Sequence, residues 1–258
     1  KEEGLDALIV TGANPVCAHL PDESFWEPMC ETLDWAVQNV TSTLCACLAT
    51  HAAFLHFHGI ERQPLAAKRW GVFSHRVALE HPLVRNVNTR FDVPHSRYNE
   101  ITKQQLEEAG LHVLIESEVA GVHLAVSPDQ FRTIYFQGHP EYDAVSLLKE
   151  YKREVGRFFS GQRDSAPRYP ENYFTPEARA ITNQYLIEAE NAAAQSNTLP
   201  PFPDAQLGAL VDNTWGDTGK ALVNNWLGLV YNLTSVERKE QFMVGVDPNN
   251  PLGINIRD

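Results

Sequence analysis

Short apolar runs alternate with amphipathic helical segments along this chain, and that alternation limits the folds it can adopt. Residues 5–10 and 43–46 are apolar and strand-like, and the segment 25–40 between them repeats apolar residues at three- and four-residue spacing, which predicts a helix. Further strands are predicted at 70–73, 112–115, 122–126 and 134–136, and helices at 48–59, 143–159, 176–193 and 219–230. This pattern is typical of an α/β protein with a mostly parallel sheet sandwiched by helices.

The pattern predicts one domain over residues 1–258. Residues 161–205 are rich in Pro, Asn, Ser and Gln around one predicted helix, and we expect residues 161–218 to form an excursion within that domain. The chain opens with Lys1, directly before the first predicted strand. We therefore expect a further segment upstream.

The charge of the chain indicates which partners it can bind, and its cysteine content indicates the cellular compartment. The formal net charge is -12, which argues against nucleic acid or an anionic membrane as partner, because both bind clustered Lys and Arg. No apolar run reaches the roughly 20 residues of a membrane helix. Four cysteines in 258 residues do not suggest a disulfide scaffold, and we expect a cytoplasmic protein.

Cys47 is the strongest candidate for a reactive residue. It stands where a predicted strand ends and a predicted helix begins, with the small residues Ala46 and Ala49 on either side, and this is the geometry of a nucleophile elbow. A helix N-terminus favours a thiolate, and the backbone N–H of Leu48 would face a developing oxyanion. The alternatives are a buried small hydrophobe and a metal pair with Cys45. Because no second Cys/His pair stands at a convincing spacing, we predict no metal site.

His139 and Glu141 supply a candidate base for this cysteine. They lie between the strand predicted at 134–136 and the long helix that follows, and open α/β sheets place their ligands at such strand ends. His139 could act as general base and acid, with Glu141 orienting its ring. The alternative is a capping loop in which Asp143 caps the helix and His139 is only exposed.

Several sequence blocks then carry a resemblance to a known family. The most specific are Pro94-His95-Ser96-Arg97-Tyr98 and Gly138-His139-Pro140-Glu141-Tyr142-Asp143, and the order and spacing of the blocks are kept from about residue 4 to 175. The other residues that match the family pattern are Thr11-Gly12-Ala13, the run 39–44, Cys47, Gly59-Ile60, Lys68, Gly71-Val72-Phe73, Ala120-Gly121-Val122, Glu150-Tyr151, Arg153, Asn225-Trp226-Leu227 and Val230-Tyr231. The chain resembles the homoserine O-succinyltransferase/O-acetyltransferase family of the methionine pathway.

The resemblance implies a class I glutamine amidotransferase-like, flavodoxin-like three-layer fold and a ping-pong acyl transfer. It implies that Cys47 takes the acyl group from acyl-CoA as a thioester, and that homoserine receives it with His139 as base and Glu141 completing the triad. The backbone of Ala13 would share the oxyanion with Leu48. The positions that match the family's substrate site are Lys68, Ser96 and Arg153. Succinyl-CoA or acetyl-CoA is implied as co-substrate with no bound cofactor, and a homodimer is left open.

Three departures from the family pattern matter. After the nucleophile the family has Trp-Gly-Ala-Gln, whereas this chain has Leu48-Ala49-Thr50-His51. The position that separates acetyl from succinyl transfer falls near Val16 or Cys17, where no carboxylate stands, and this favours succinyl. The family also carries about a hundred further residues upstream, including strands of the same sheet, so we expect an exposed sheet edge here.

Two other functions remain open from the sequence. A glutamine amidotransferase-like hydrolase would share the elbow, the Cys–His–Glu set and the fold, but it predicts a Gly-rich elbow. A catalytically inactive member of the family would bind ligand without turnover.

Overall fold

The computed structural model describes residues 4–237 and 240–255. One mixed sheet has the strand order β1-β2-β7-β6-β5-β3-β4. Its strands are β1 Ala7–Val10, β2 Ser42–Ala46, β3 Gln63–Val77, β4 Arg90–Glu100, β5 His112–Ser117, β6 Gly121–Val126 and β7 Thr133–Phe136. The helices of this part of the chain are α1 Trp26–Asn39, α2 Leu48–His58, α3 Lys103–Glu108, α4 Ser146–Phe159, α5 Pro176–Ala194, α6 Asp204–Gly208 and α7 Gly216–Leu233.

Helices cover both faces of the sheet, because successive side chains of a strand point to opposite sides. On β2, Leu44 and Ala46 pack in one apolar cluster with Trp226 of α7, whereas Cys45 packs in another with Leu33 of α1 and Phe54 of α2. Burial of one such large apolar side chain contributes about 1.5–3 kcal/mol. The predicted three-layer α/β fold is therefore confirmed.

The direction of the strands differs from the mostly parallel sheet that was predicted. Only β1–β2 and β2–β7 pair in parallel, and the other four pairings are antiparallel. The reason is the length of the connections. Parallel neighbours need a crossover of a dozen or more residues, and such a crossover, containing α1, joins β1 to β2. By contrast, β5 and β6 are joined by residues 118–120, and β6 and β7 by residues 127–132.

Most predicted elements are present, with shifted ends. The first long helix, the helix after Cys47 and its C-cap Gly59 (φ 64°) are confirmed, and so are the three long later helices. The strand predicted at 70–73 is the middle of the much longer β3. Strand β4 and the short helices α3 and α6 were not predicted.

The predicted excursion packs against the rest of the domain, and the first strand lies at an edge of the sheet. Residues 161–218, predicted as an excursion, contain α5 and α6, whose apolar residues pack in one cluster with α4 and with Trp70 and Val72 of β3. Strand β1 lies at a sheet edge, and Ile9 on it is 53% exposed.

Within the described ranges, no helix combines the length and the apolar character that crossing a membrane requires.

Candidate active site

Cys47 sits at a sharp turn between β2 and α2. Its backbone has φ 57° and ψ -125°, a region that residues with a side chain rarely occupy. The turn is held by Thr50, whose hydroxyl donates to the carbonyls of Cys45 and Phe136 at the ends of two neighbouring strands, each at 2.8 Å. The strained turn lifts the thiol above the sheet at the N-terminus of a helix, which is the arrangement expected from the sequence.

The loop after β1 closes one side of this turn. A Cβ on Gly12 would lie 2.7 Å from the Leu48 backbone nitrogen and 2.9 Å from the Cys47 sulfur. The glycine therefore lets the loop approach the first N–H groups of α2, which have no acceptor within their own helix. Ala13 and Leu48, the two predicted oxyanion donors, both line the cavity that contains Cys47.

His139 faces Cys47 from the loop between β7 and α4. The His139 Nδ1 atom lies 2.7 Å from Glu141 Oε1, the Cys47 side chain is close enough to raise the pKa of the ring, and the Tyr142 ring stacks on it at 4.3 Å between centroids. Its backbone N–H donates to the Pro94 carbonyl at 2.8 Å. The structure thus brings the predicted Cys–His–Glu set together, with His139 between the other two residues. Their catalytic roles stay predictions.

Electrostatics in this line favour a charged imidazole. Burial disfavours the imidazolium, but the hydrogen bonds to Cys47 and Glu141 and the negative charge of both partners outweigh it and raise the pKa of His139 to about 10. Cys47 and Glu141 together thus favour the protonated ring. Cys47 is one of the two partners that raise the pKa of His139, so removal of the Cys47 side chain should lower it.

We expect Cys47→Ala to lower the pKa of His139 well below 10, because the substitution removes a hydrogen-bonding anionic partner and leaves the burial in place. The measurement is a ¹H–¹⁵N NMR titration of the His139 ring in both proteins. Cys45→Ala is the matched control, since it removes the neighbouring buried thiol and should leave the His139 midpoint in place. An unchanged midpoint in Cys47→Ala would contradict the proposed coupling.

The predicted substrate residues lie in the same cavity, whose volume is about 570 Å³. Lys68, Ser96 and Arg153 all line it, together with Cys47 and His139. A second cavity of about 540 Å³, lined among others by Asp92, Thr175 and Trp215, holds none of the predicted site residues. The predicted site residues are therefore grouped in the first cavity.

Glu150 is a central residue of this cavity that the sequence analysis did not select. Its carboxylate accepts from Ser96 Oγ at 2.6 Å, Lys68 Nζ at 3.0 Å and Tyr142 OH at 2.7 Å. Burial disfavours its charge, but Lys68 and the hydroxyl donors outweigh it and lower the pKa of Glu150. Glu150 and Arg153 stand three residues apart on α4, a spacing that places them on one helix face and that could have revealed the pair.

Arg97 is a second residue that was missed, because β4 was not predicted. It is 7% exposed and lines the cavity. It donates to His95 Nδ1 at 2.9 Å, His95 Nε2 lies 3.0 Å from His75 Nε2, and His75 Nδ1 lies 2.8 Å from the Phe73 carbonyl. Because the carbonyl accepts only and arginine donates only, both imidazoles are neutral and donate away from Arg97. The chain fixes one buried guanidinium beside the cavity.

The histidines beneath the site do not form a metal centre. His75 and His95 are stacked in the core, and the His123 ring meets both of them edge-on. Gly138 lies directly on this group, since a Cβ there would meet His123 Nδ1 at 2.8 Å. Among residues 4–237 and 240–255, no group of three or more His, Cys, Asp or Glu side chains has a geometry that could hold a metal ion.

Fold and site together define a three-layer α/β protein with a cysteine at the strand-to-helix turn opposite a His–Glu pair. The family profile described as homoserine O-succinyltransferase matches residues 1–236. The chain belongs to the homoserine O-succinyltransferase family.

Curated relatives of high identity carry the same family name. The homoserine O-succinyltransferase of Thiothrix nivea is 56% identical over 255 residues, which cover 98% of this chain and 71% of the relative. That of Methylococcus capsulatus is 58% identical over 255 residues, with 98% and 72% covered. The glutamine amidotransferase alternative is not favoured by this similarity.

One solved structure shares the fold at low sequence identity, and others are less similar. The crystal structure of SMU.1228c has a TM-score of 0.50 and 12% identity, with 88% of this chain and 80% of that chain covered. A glutamine amido transferase from Methylobacillus flagellatus has a TM-score of 0.47 and 13% identity, with 83% and 80% covered.

Proposed function

We propose that this protein is a homoserine O-succinyltransferase that carries the succinyl group from succinyl-CoA on Cys47 as a thioester. The observation that carries the proposal is the family match over residues 1–236 in a chain whose Cys47 and His139 line one cavity with Lys68, Ser96 and Arg153.

In the first half-reaction the Cys47 thiolate attacks the thioester carbonyl of the donor. The backbone N–H groups of Leu48 and Ala13 stabilise the oxyanion. The bond between the acyl carbon and the sulfur of CoA then breaks, and the His139 imidazolium gives its proton to the departing thiolate. The products are free CoA, the Cys47 thioester and a neutral His139.

In the second half-reaction the acceptor hydroxyl attacks the Cys47 thioester. His139 is now a base, because the thioester has no charge to hold a proton on the ring, and it takes the hydroxyl proton as the new ester bond forms. Collapse of the tetrahedral intermediate breaks the bond to Cys47. The thiolate–imidazolium pair is thereby restored.

The charges of α4 suit an amino-acid acceptor. Arg153 at the cavity can bind a carboxylate with two parallel hydrogen bonds. The buried carboxylate of Glu150, three residues earlier, can accept from the ammonium group, and Lys68 and Ser96 position that carboxylate. The pair is complementary to the two charged groups of homoserine, and Ser96 and Lys68 act here as positioning residues.

The cavity also suits a succinyl group better than an acetyl group. Glu23 accepts from the backbone N–H groups of Val16 and Cys17 at 2.6 Å each, but it is not among the residues that line the cavity. The cationic side chains of the lining are Arg62, Lys68, Arg97, Arg153 and Arg157, and the anionic ones are Glu150 and Glu154. An excess of cations in a chain of net charge -12 favours a donor whose acyl group bears a carboxylate.

The setting of the reaction is part of the proposal. A biosynthetic role in the methionine pathway follows from the acceptor. A cytoplasmic location is supported by the four free cysteines, and a homodimer stays a prediction.

A donor and acceptor screen tests the proposed function. We expect intact-protein mass spectrometry to show one succinyl adduct with succinyl-CoA, discharged by homoserine to O-succinylhomoserine, with acetyl-CoA, serine and cysteine slower by tenfold or more. Absence of any adduct, or hydrolysis of glutamine instead, would contradict it.

A further inference from the structure

Three arginine side chains form a cluster around one carboxylate in the C-terminal half of α4 and the loop that follows it. Glu154, whose side chain is 10% exposed, contacts Arg153 Nε at 3.5 Å, Arg157 Nη1 at 3.1 Å and Arg163 Nη1 at 3.1 Å. Three guanidinium groups on one carboxylate leave an excess of two positive charges. The reaction steps above use only Arg153, so the role of the other two arginines is open.

The position of the cluster fits the far end of a long anionic ligand. Arg157 and Glu154 line the same cavity as Cys47. Arg157 lies seven residues beyond Glu150 on the same helix, which is about 10 Å along the axis. The side chains of Arg157 and Arg163 are 52% and 32% exposed, so their remaining N–H donors are accessible to a ligand beside the Glu154 carboxylate.

We propose that Arg157 and Arg163 bind the phosphate groups of the acyl-CoA donor. This inference rests on the proposed function. The pantetheine arm of CoA separates its phosphates from the reacting thioester by many bonds, so a phosphate site must lie away from the catalytic residues, and Arg157 lies about 10 Å along α4 from Glu150. Arginine forks bind phosphate oxygens with paired hydrogen bonds. Glu154 holds the guanidinium groups in place before the donor arrives, which lowers the cost of ordering them.

A purely structural role for the cluster predicts a different result. Arg163 also donates to the Ser165 carbonyl at 2.7 Å, so the three ion pairs could serve only to fix the end of α4 to the following loop. Loss of an arginine would then slow every donor alike. A phosphate site instead affects only donors that carry phosphates.

The test compares succinyl-CoA with succinyl-pantetheine, which keeps the thioester and the arm but lacks all phosphates. The rate of Cys47 acylation is followed by intact-protein mass spectrometry over a range of donor concentrations. We expect Arg157→Gln and Arg163→Gln each to lower the second-order rate constant for succinyl-CoA about tenfold, and to change that for succinyl-pantetheine less than twofold. Arg157→Lys should recover part of the loss, and added salt should reduce the preference of the wild-type protein for succinyl-CoA.

The control is Arg90→Gln, which removes an exposed arginine at the start of β4 and should leave both donors unaffected. Thermal unfolding of each variant shows whether it is folded. Equal losses with both donors would overturn the phosphate site while leaving the proposed function intact. Failure of the wild-type protein to be acylated by either donor would instead overturn the proposed function and this site with it.

Discussion

Replacing Cys47 with Ala should abolish the succinyl adduct and lower turnover by about 10⁴-fold or more, the scale seen when a covalent catalyst loses its nucleophile. The reason is geometric as well as chemical. Within the described residues, the thiol at the φ 57° turn is the one that meets a His–Glu pair. Incubation with succinyl-CoA, followed by intact-mass and peptide-mass analysis, measures both the adduct and its position.

Cys45→Ala is the matched control for that experiment. Cys45 lies two residues earlier and is fully buried, and burial raises the pKa of its thiol to about 12, so it offers no thiolate at neutral pH. The control should form the adduct at a rate close to that of the wild-type protein. A succinyl adduct that persisted in Cys47→Ala, on any residue competent for turnover, would refute the thioester mechanism.

The sequence contained enough to predict the elbow and the histidine loop. Cys47 follows a short apolar strand and begins a helix that ends at a glycine, and these local signals agree with the observed β2 and α2. His139 could be placed at the end of a strand for the same reason. Local patterns of this kind survive in the fold because the core packs on the apolar residues that form them.

Strand β4 was missed because its inward-facing residues break the strand pattern. Pro94 lies in its middle, which is tolerated because β4 is at the edge of the sheet. His95 and Arg97 point inward, where apolar residues are normally expected, because they form the hydrogen-bond chain beside the cavity. Local rules fail most often where residues serve a site, and here the same segment also supplies Ser96.

Glu150 shows a different limit of sequence analysis. Its spacing from Arg153 is visible in the sequence, but its role in the cavity depends on hydrogen bonds from Lys68 and Ser96, which lie 82 and 54 residues away in the chain.

The strand directions, by contrast, could have been predicted from the sequence. Antiparallel pairing of β5, β6 and β7 follows from the short connections, so the expectation of a mostly parallel sheet could have been avoided from the sequence.

Gly12→Ala should lower kcat by about 10²–10³-fold, the cost of losing an oxyanion donor, although Gly12 has no side chain and takes no chemical part. The new Cβ would lie 2.7 Å from the Leu48 nitrogen, 2.8 Å from Cys47 Cβ and 2.9 Å from Cys47 Sγ, all closer than atoms in contact can approach. Either the β1 loop moves away and takes the Ala13 N–H with it, or the thiol turns from His139. The measurement is the rate of each half-reaction, with Gly228→Ala as control.

Gly228 lies in the interior of α7, and a methyl group added there would have no neighbouring atom within 4 Å. Gly228→Ala should therefore preserve activity and raise stability by about 0.5–1 kcal/mol. The comparison separates a general effect of alanine from the effect of crowding the elbow. If Gly12→Ala kept full activity while remaining folded, then the close approach of the β1 loop to Leu48 would not form the oxyanion site. The donors would then have to come from elsewhere around Cys47.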